Sequence, residues 1–349
     1  MNLTDFTSLV TEGGLIHATK IPDIVALLLD DANPVEVRAD FLRALHLRGE
    51  TPEEIAGFAS ELLARGTPFP ATNRGCIDVC GTGGDQAHLF NVSTATMFVV
   101  ASAGVPVVKH GNRGITSKSG GADALEALGI RIDLPPTQAA DVLEQAGCCF
   151  LFAPFYHPVV KAVVPVRKLL AGEGTPTIFN LLGPLLNPAR PNFQLVGLFR
   201  RAFLSRYAEA LRAMGREAAW VVNGAAKGGL ELDEVSTLGT TRVAKCSGNE
   251  KISEFTLDPT ELGISEPNIE RLQSHSPQES SDLIETVLKG RGHREATEIV
   301  ALNAAAALAV ADRRSDLRES YAKAMVLIAD GSPYKVLEAM RLAAPPVPA

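Results

Sequence analysis

The sequence is short of the features that mark several common protein classes. It has no CxxC pair, and its five cysteines are an odd number, with Cys148 and Cys149 adjacent in an apolar run. Neither a disulfide framework nor a zinc site is therefore expected, and the thiols read as buried and reduced. Basic charge is not in excess: 33 lysines and arginines against 40 acids leave a net charge of −7. That sign is opposite to a general nucleic-acid binder's, although a local basic patch stays open. Long apolar runs are missing too. The stretches near Val99 to Val108 and Ala301 to Ala311 are too short and too interrupted to span a bilayer. The opening MNLTDFTSLVTEGG has no basic region ahead of an apolar core, so no signal peptide is expected, and a cytoplasmic location follows by default. What remains is a folded chain whose 349 residues suffice for one large core or two smaller ones.

The first ~70 residues read as helices only. IPDIVALLLDDA, NPVEVRADFLRALHLRG and TPEEIAGFASELLARG carry apolar residues at three- and four-residue spacing. Thr51, Pro52 and Glu54 form an N-cap, a first-turn proline and a capping-box acid; Asn33 and Pro34 repeat the first two signals. Gly49 and Gly66 stand where helices stop. Beyond the connector TPFPATNRG, the short apolar runs CIDVC, VPVVKH, CCFLFA, FQLVGL and AAWVV suit buried strands, and helical stretches alternate with them. This pattern predicts an α/β domain with a mostly parallel sheet covered on both faces. From Val235 to Leu257 the text is β-rich and polar, and it then returns to helices through Ala343.

Four segments carry chemistry. In DVCGTGGDQAHLFNVST a strand ends in a glycine loop and a helix begins near Asn91, which places amide donors and the hydroxyls of Ser93 and Thr94 at the sheet's ligand-binding edge. The segment is neither a P-loop nor a dinucleotide fingerprint, and such turns also occur as plain structure. KHGNRGITSKSGGADALEALG puts Lys109, His110, Arg113 and Lys118 in ten residues among glycines and hydroxyls, a composition suited to wrapping phosphates, with a solvated charged face as the alternative. In FAPFYHPVVKAVVPVRKLL a helix is capped near His157 and Pro158, and Pro165 predicts a kink or break. Arg167 among apolar residues there suits a carboxylate or phosphate. Asp233 and Glu234 in ELDEVS would suit Mg²⁺ beside phosphates, although an isolated acidic pair is ordinarily just surface.

Taken in order, GTGGD with NVST, KHGNR with SKSGGADALEALG, FAPFYHP, PVR, FNLLGPLLNPA and LDEVS resemble the anthranilate phosphoribosyltransferase family over nearly the whole chain. The resemblance implies a helical domain at 1–70 completed by about 165–190, an α/β domain at 75–164 and 191–345 of the class II nucleoside phosphorylase type, and a homodimer joined through the helical parts. It implies transfer of the phosphoribosyl group from phosphoribosyl pyrophosphate to the amine of anthranilate in tryptophan biosynthesis, with no residue acting as acid, base or nucleophile. Position by position, Gly81, Gly84 and Asp85 would line the phosphoribosyl pyrophosphate. Asn91, Ser93 and Thr94 would hold its pyrophosphate, and Lys109 with the following loop would close over it. Ser93, Asp233 and Glu234 would ligate magnesium. Asn112 and Arg167 would receive anthranilate, with Gly81, His110, Tyr156 and His157 nearby.

The sequence departs from that pattern at Gln86, Leu89, Gly121 and Asn223, where the family usually has glycine, threonine, serine and histidine, and AAKGGLEL is longer than the usual link to the acidic pair. With two hydroxyls absent, Gln86 and His88 stand as substitute donors. Other readings left open are a pyrimidine nucleoside phosphorylase, a paralogue using another aromatic amine, and a non-catalytic nucleic-acid-binding relative.

Overall fold

The structure, a computed structural model, describes residues 1–70, 75–85, 87–114, 119–313 and 316–346. Gln86 and Lys118, named above as a donor and a charge, lie outside those residues, as do the hydroxyls of Thr116 and Ser117 in the same loop. The described strands are β1 (Ile77–Gly81), β2 (Val107–Gly111), β3 (Cys148–Phe152), β4 (Phe193–Gly197), β5 (Ala218–Ala225), β6 (Glu231–Leu232), β7 (Thr241–Ser247) and β8 (Ser253–Leu257). They form one sheet in the order β3-β2-β1-β4-β5-β7-β8, with β6 paired to β5. The first five in that order are parallel; β6, β7 and β8 add antiparallel pairs. The near-continuous apolar runs of β1 to β5 are what a strand buried on both faces requires.

The order reverses direction between β1 and β4, whose residues pair from Ile77 with Phe193 to Gly81 with Gly197. Chains leaving a parallel sheet on either side of such a point part from each other and open a crevice at the C-terminal ends. Here β1 runs towards the helix Val92–Ser102 on one face, while β4 runs towards Leu204–Ala213 on the other.

Each face has its own core. One gathers Val92–Ser102, Arg294–Asp312 and the later helices over β1, β2 and β3. The other gathers the N-terminal helices Leu3–Thr11, Ile21–Leu29, Val35–Arg48 and Pro52–Ala64 with residues 163–186. That second core continues beneath Val196, Val221 and Ala244 of the sheet, so the helical segment and the sheet are packed as one body. All five cysteines are buried and none is in a disulfide. Among the described residues no helix is long and apolar enough to cross a membrane.

The Thr51–Glu54 capping box forms, both side chains accepting from the other's backbone N–H. Asn33 does not cap: its side-chain amide donates to the Leu27 carbonyl at 3.0 Å, and the helix starts behind Pro34 without a side-chain cap. Pro165 marks a break rather than a kink. A 3₁₀ turn at Pro158–Val163 ends there, and Pro165 lies in the first turn of the helix Val164–Gly172, where its missing N–H costs nothing. His157 stands between the short helix Ala153–Tyr156, which its N–H ends on the Ala153 carbonyl at 2.9 Å, and the turn Pro158–Val163, which it precedes without a side-chain capping bond; its Nε2 lies 2.6 Å from the Leu186 carbonyl.

Candidate active site

The crevice between β1 and β4 is crossed by the acidic pair. Asp233 follows β6 and passes over the paired glycines Gly81 and Gly197; a β-carbon on either would strike it. The Asp233 carboxylate accepts the Gly83 N–H at 2.6 Å, and Glu234 accepts the N–H of Ser93 at 3.2 Å, in the first turn of the helix Val92–Ser102. Asp85 shares a hydrogen bond with Asp233. Burial, and then the charges of Asp85 and Glu234, hold the Asp233 carboxyl well above its ordinary range. Burial likewise pushes Glu234 up to about 8, against the pull of Lys109. Carboxylates crowded in this way are relieved by a cation. Among the described residues no group of three or more His, Cys, Asp or Glu side chains is placed to hold a metal ion. The donor set of two carboxylates beside a serine hydroxyl still fits magnesium, which keeps several waters and takes one or two carboxylates.

The glycine loop is shaped by contacts the sequence does not display. Gly83 and Gly84 have φ of +68° and +92°, and Gly84 lies against the Phe199 ring at the end of β4. Thr82 donates its N–H to the Gly197 carbonyl at 2.9 Å. Asn91 is committed within the chain: its side-chain oxygen accepts from Ser280 at 2.7 Å and Ser119 at 2.9 Å, and its amide donates to the Ser119 carbonyl. Thr94 is wholly buried, with its hydroxyl unpartnered.

The expected cationic wrap is not formed by the residues described. Lys109 is 3% exposed and lies under the loop, its ammonium on the Val79 carbonyl and on Ser93 Oγ at 3.0 Å. Arg113 turns away to Glu126 and Asp123 and lies over the Phe152 ring. His110 is buried, and burial first, then His157, lowers its pKa to about 3, so it carries no charge. A count of charges along the chain does not tell which way each side chain points.

On the acceptor side, His110 and His157 meet edge to face with ring centroids 5.4 Å apart. His110 Nδ1 lies 3.3 Å from the Gly183 carbonyl, while His110 Nε2, His157 Nδ1 and the Tyr156 hydroxyl are buried without partners. Arg167 is half-buried over the Phe179 ring and has no hydrogen bond or ion pair among the described residues. Asn112 is exposed, its side-chain oxygen taken by the Arg113 N–H. Behind these residues the wholly buried Asp78 accepts from Asn187 at 2.9 Å, Gln194 at 3.4 Å and the His110 N–H at 3.4 Å.

The departures have structural counterparts. Leu89 packs against the larger core and bridges to Gln273, and the exposed His88 is left-handed at φ +54°. Asn223 donates to the Leu198 carbonyl and to Glu231 of the longer link and accepts from Arg201. A β-carbon on Gly121 would lie 3.4 Å from the unpartnered Thr94 hydroxyl. Reasoning from sequence missed Ser280, Asp78 and Asn303. Only Asn303 left a signal, a lone polar residue in the apolar run ALNAAAALAV.

A family model described as "Glycosyl transferase family, a/b domain" matches residues 73–334. The chain is 41% identical over 301 residues to the anthranilate phosphoribosyltransferase of Aeromonas hydrophila, covering 86% of this chain and 85% of that one. It is 38% identical to that of Shewanella oneidensis over 330 residues, 93% and 92% of the two chains. The Thermus thermophilus anthranilate phosphoribosyltransferase structure superposes with a TM-score of 0.88 at 35% identity over 97% of this chain and 99% of that one. The Saccharomyces cerevisiae anthranilate phosphoribosyltransferase in complex with PRPP and Mg does so at 0.86 and 27%, over 98% and 97%.

Proposed function

Because this chain belongs to the anthranilate phosphoribosyltransferase family, we propose how its own residues divide that enzyme's work. The chain transfers the phosphoribosyl group of phosphoribosyl pyrophosphate to the amine of anthranilate, releasing pyrophosphate, in tryptophan biosynthesis. The observation that carries the assignment is the passage of Asp233 over Gly81 and Gly197, at the mouth of the crevice, with Glu234 next to it beside Ser93.

The donor's pyrophosphate lies at the N-terminus of the helix Val92–Ser102, where the helix dipole favours negative charge. Gly81, Gly84 and Asp85 line the phosphoribosyl pyrophosphate; Ser93 meets its pyrophosphate with the wholly buried Thr94 behind it, and Asn91 holds Ser119 and Ser280 around it. Ser93, Asp233 and Glu234 hold Mg²⁺, which when bound offsets charge on the departing pyrophosphate. Anthranilate enters from the other side. Arg167, buried enough to lose much of its hydration, receives the carboxylate together with Asn112, and the neutral His110, Tyr156 and His157 form the wall. The amine then forms its C–N bond at the anomeric carbon as the C–O bond to pyrophosphate breaks on the opposite face, and the amine's proton leaves with solvent. No nucleophile on the protein is needed; orientation and charge supply the acceleration.

We place the enzyme in the cytoplasm as a homodimer joined through its helical segment. Leu15 and Leu47 there are 66% and 78% exposed, beside a groove of about 520 Å³ between the helices Leu3–Thr11 and Val35–Arg48. The whole reading is tested by mixing the protein with phosphoribosyl pyrophosphate, Mg²⁺ and anthranilate and following loss of anthranilate fluorescence. Loss that stops on chelation supports it; no loss with anthranilate, but product with another aromatic amine, would correct the acceptor.

A further inference from the structure

The helix Arg294–Asp312 has 13 of its 19 residues buried, so a polar side chain in its middle needs partners of its own. That side chain is Asn303, 1% exposed. Its Oδ1 accepts the N–H of Val235 at 2.9 Å, and its Nδ2 donates to the Val235 carbonyl at 2.8 Å and to the Ile299 carbonyl at 2.9 Å. The carboxamide thus pairs with both backbone groups of one residue, as a neighbouring strand would. That residue follows Asp233 and Glu234 directly.

Glycines bound the same segment where it crosses the strands. A β-carbon on Gly197 would strike the Asp233 backbone, one on Gly81 would strike the Asp233 carboxylate, and one on Gly224 would come within 2.6 Å of the Glu234 carbonyl. These three glycines lie at or near the C-terminal ends of β1, β4 and β5, which are adjacent in the sheet. Residues 233–235 therefore run in a slot. The glycines limit how deeply the segment sits, but nothing in a row of hydrogens fixes its rotation about its own axis. Asn303 does, because it holds an N–H and a C=O at once. Asn303, Glu234 and Ser93 border one cavity of about 10 Å³, so the amide stands close behind the carboxylates.

We infer that Asn303 is a positioning residue for the acidic pair: its two-point grip on Val235 sets the direction of the Asp233 and Glu234 carboxylates and thereby the affinity for the metal. This rests on the reading of Asp233 and Glu234 as metal holders. Asn303 acts on the metal only through the backbone it holds, and its loss moves metal affinity rather than acceptor recognition. The sequence position is 68 residues from its partner, on a different element of the fold.

The experiment uses the full chain with phosphoribosyl pyrophosphate present and Mn²⁺ as the probe, bound metal being read by water-proton relaxation against the same titration without protein. Asn303→Asp keeps the acceptor but sets an oxygen against two carbonyls; Asn303→Leu keeps the approximate volume and removes both functions. Each is expected to weaken Mn²⁺ binding at least tenfold and to raise the half-saturating Mg²⁺ for turnover similarly. The anthranilate KM at saturating Mg²⁺ should change less than twofold. Ala307→Ser, one turn along the same helix, is expected to lower the melting temperature without moving Mn²⁺ affinity. The inference is overturned if either folded Asn303 variant binds Mn²⁺ within twofold of wild type, or if Ala307→Ser shifts it equally. It is also overturned if neither Asn303 variant folds, which would make Asn303 a folding residue. Asp233→Asn with Glu234→Gln is the reference arm. Normal Mn²⁺ binding in that double variant refutes the metal reading itself, whereas loss there with normal binding in the Asn303 variants refutes only the role of Asn303.

Discussion

The ammonium of Lys109 donates to the γ-oxygen of Ser93 at 3.0 Å, and its other acceptor is the Val79 carbonyl. Among the described residues, Lys109 also carries the only positive charge that pulls down both the buried Asp78 and Glu234. The bond fixes the rotamer of Ser93, whose N–H is already committed to Glu234. A lysine that a count of charges assigns to a phosphate wrap thus lies buried beneath the glycine loop, drawing on two carboxyl groups and orienting a hydroxyl.

Replacing Lys109 by methionine keeps the stem and removes the charge. Stranding buried carboxylates costs about 3–5 kcal/mol when a partner is deleted. Urea unfolding at pH 7 should show a loss near the lower end of that range, since Glu234, held up to about 8, already carries its proton there and Asp78 is the partner left stranded, and turnover should fall at least a hundredfold. A loss below about 1 kcal/mol would show that Lys109 is not the balancing charge.

Arg167 has no hydrogen-bond or ion-pair partner among the described residues, and burial depresses its pKa, so a carboxylate arriving beside it gains a charge-assisted contact. Such contacts are worth roughly 1.5–3 kcal/mol. Steady-state kinetics of Arg167→Ala should show the anthranilate KM raised about 10- to 100-fold, with the phosphoribosyl pyrophosphate KM nearly unchanged. Equal rises in both would reassign Arg167 to holding the two parts of the chain together.

The unpartnered hydroxyl of Thr94 invites a donor. A serine at Gly121 would place its β-carbon 3.4 Å from that oxygen, within ordinary contact, at the first residue of the helix Gly121–Ala127. Gly121→Ser is expected to raise stability by about 1 kcal/mol, from one buried hydrogen bond and a less flexible unfolded chain. Thermal unfolding checks this, and an unchanged or lower midpoint would show that the Thr94 hydroxyl is not available to it.

His110 and His157 make the enzyme sensitive to mild acid. Burial lowers both pKa values from 6.5, His110 to about 3, so below pH 6.5 the unfolded chain binds protons that the folded chain does not. Stability is then complete above pH 6.5 and falls as pH drops towards 3. For His110 the loss reaches about 2 kcal/mol by pH 5. His110→Gln should flatten the pH 7 to pH 5 stability curve by that amount, as read by urea titration; a curve parallel to wild type would mean His110 is protonated in the fold.

Much of this was legible from local pattern. The five buried runs became β1 to β5 because a parallel sheet covered on both faces demands unbroken apolar strands, and Thr51 with Glu54 capped their helix because a capping box needs only four residues. The acidic pair was recognisable only by the motifs around it. What stayed hidden depends on contacts between distant residues: Asp78 with Asn187, Asn91 with Ser280, Val235 with Asn303. The direction of Lys109 and Arg113 was hidden for the same reason, since Ser93 and Glu126 decide it.

The central claim is that Asp233 and Glu234, carried across the glycines of β1 and β4, hold the metal beside Ser93. A crystal of the protein soaked with Mn²⁺ and phosphoribosyl pyrophosphate, with diffraction recorded near the manganese edge, tests it most directly. The account predicts an anomalous peak within coordination distance of the Ser93 hydroxyl and of one oxygen from each of Asp233 and Glu234. A peak held by other residues, or a donor bound in the crevice with no peak beside that pair, would contradict it.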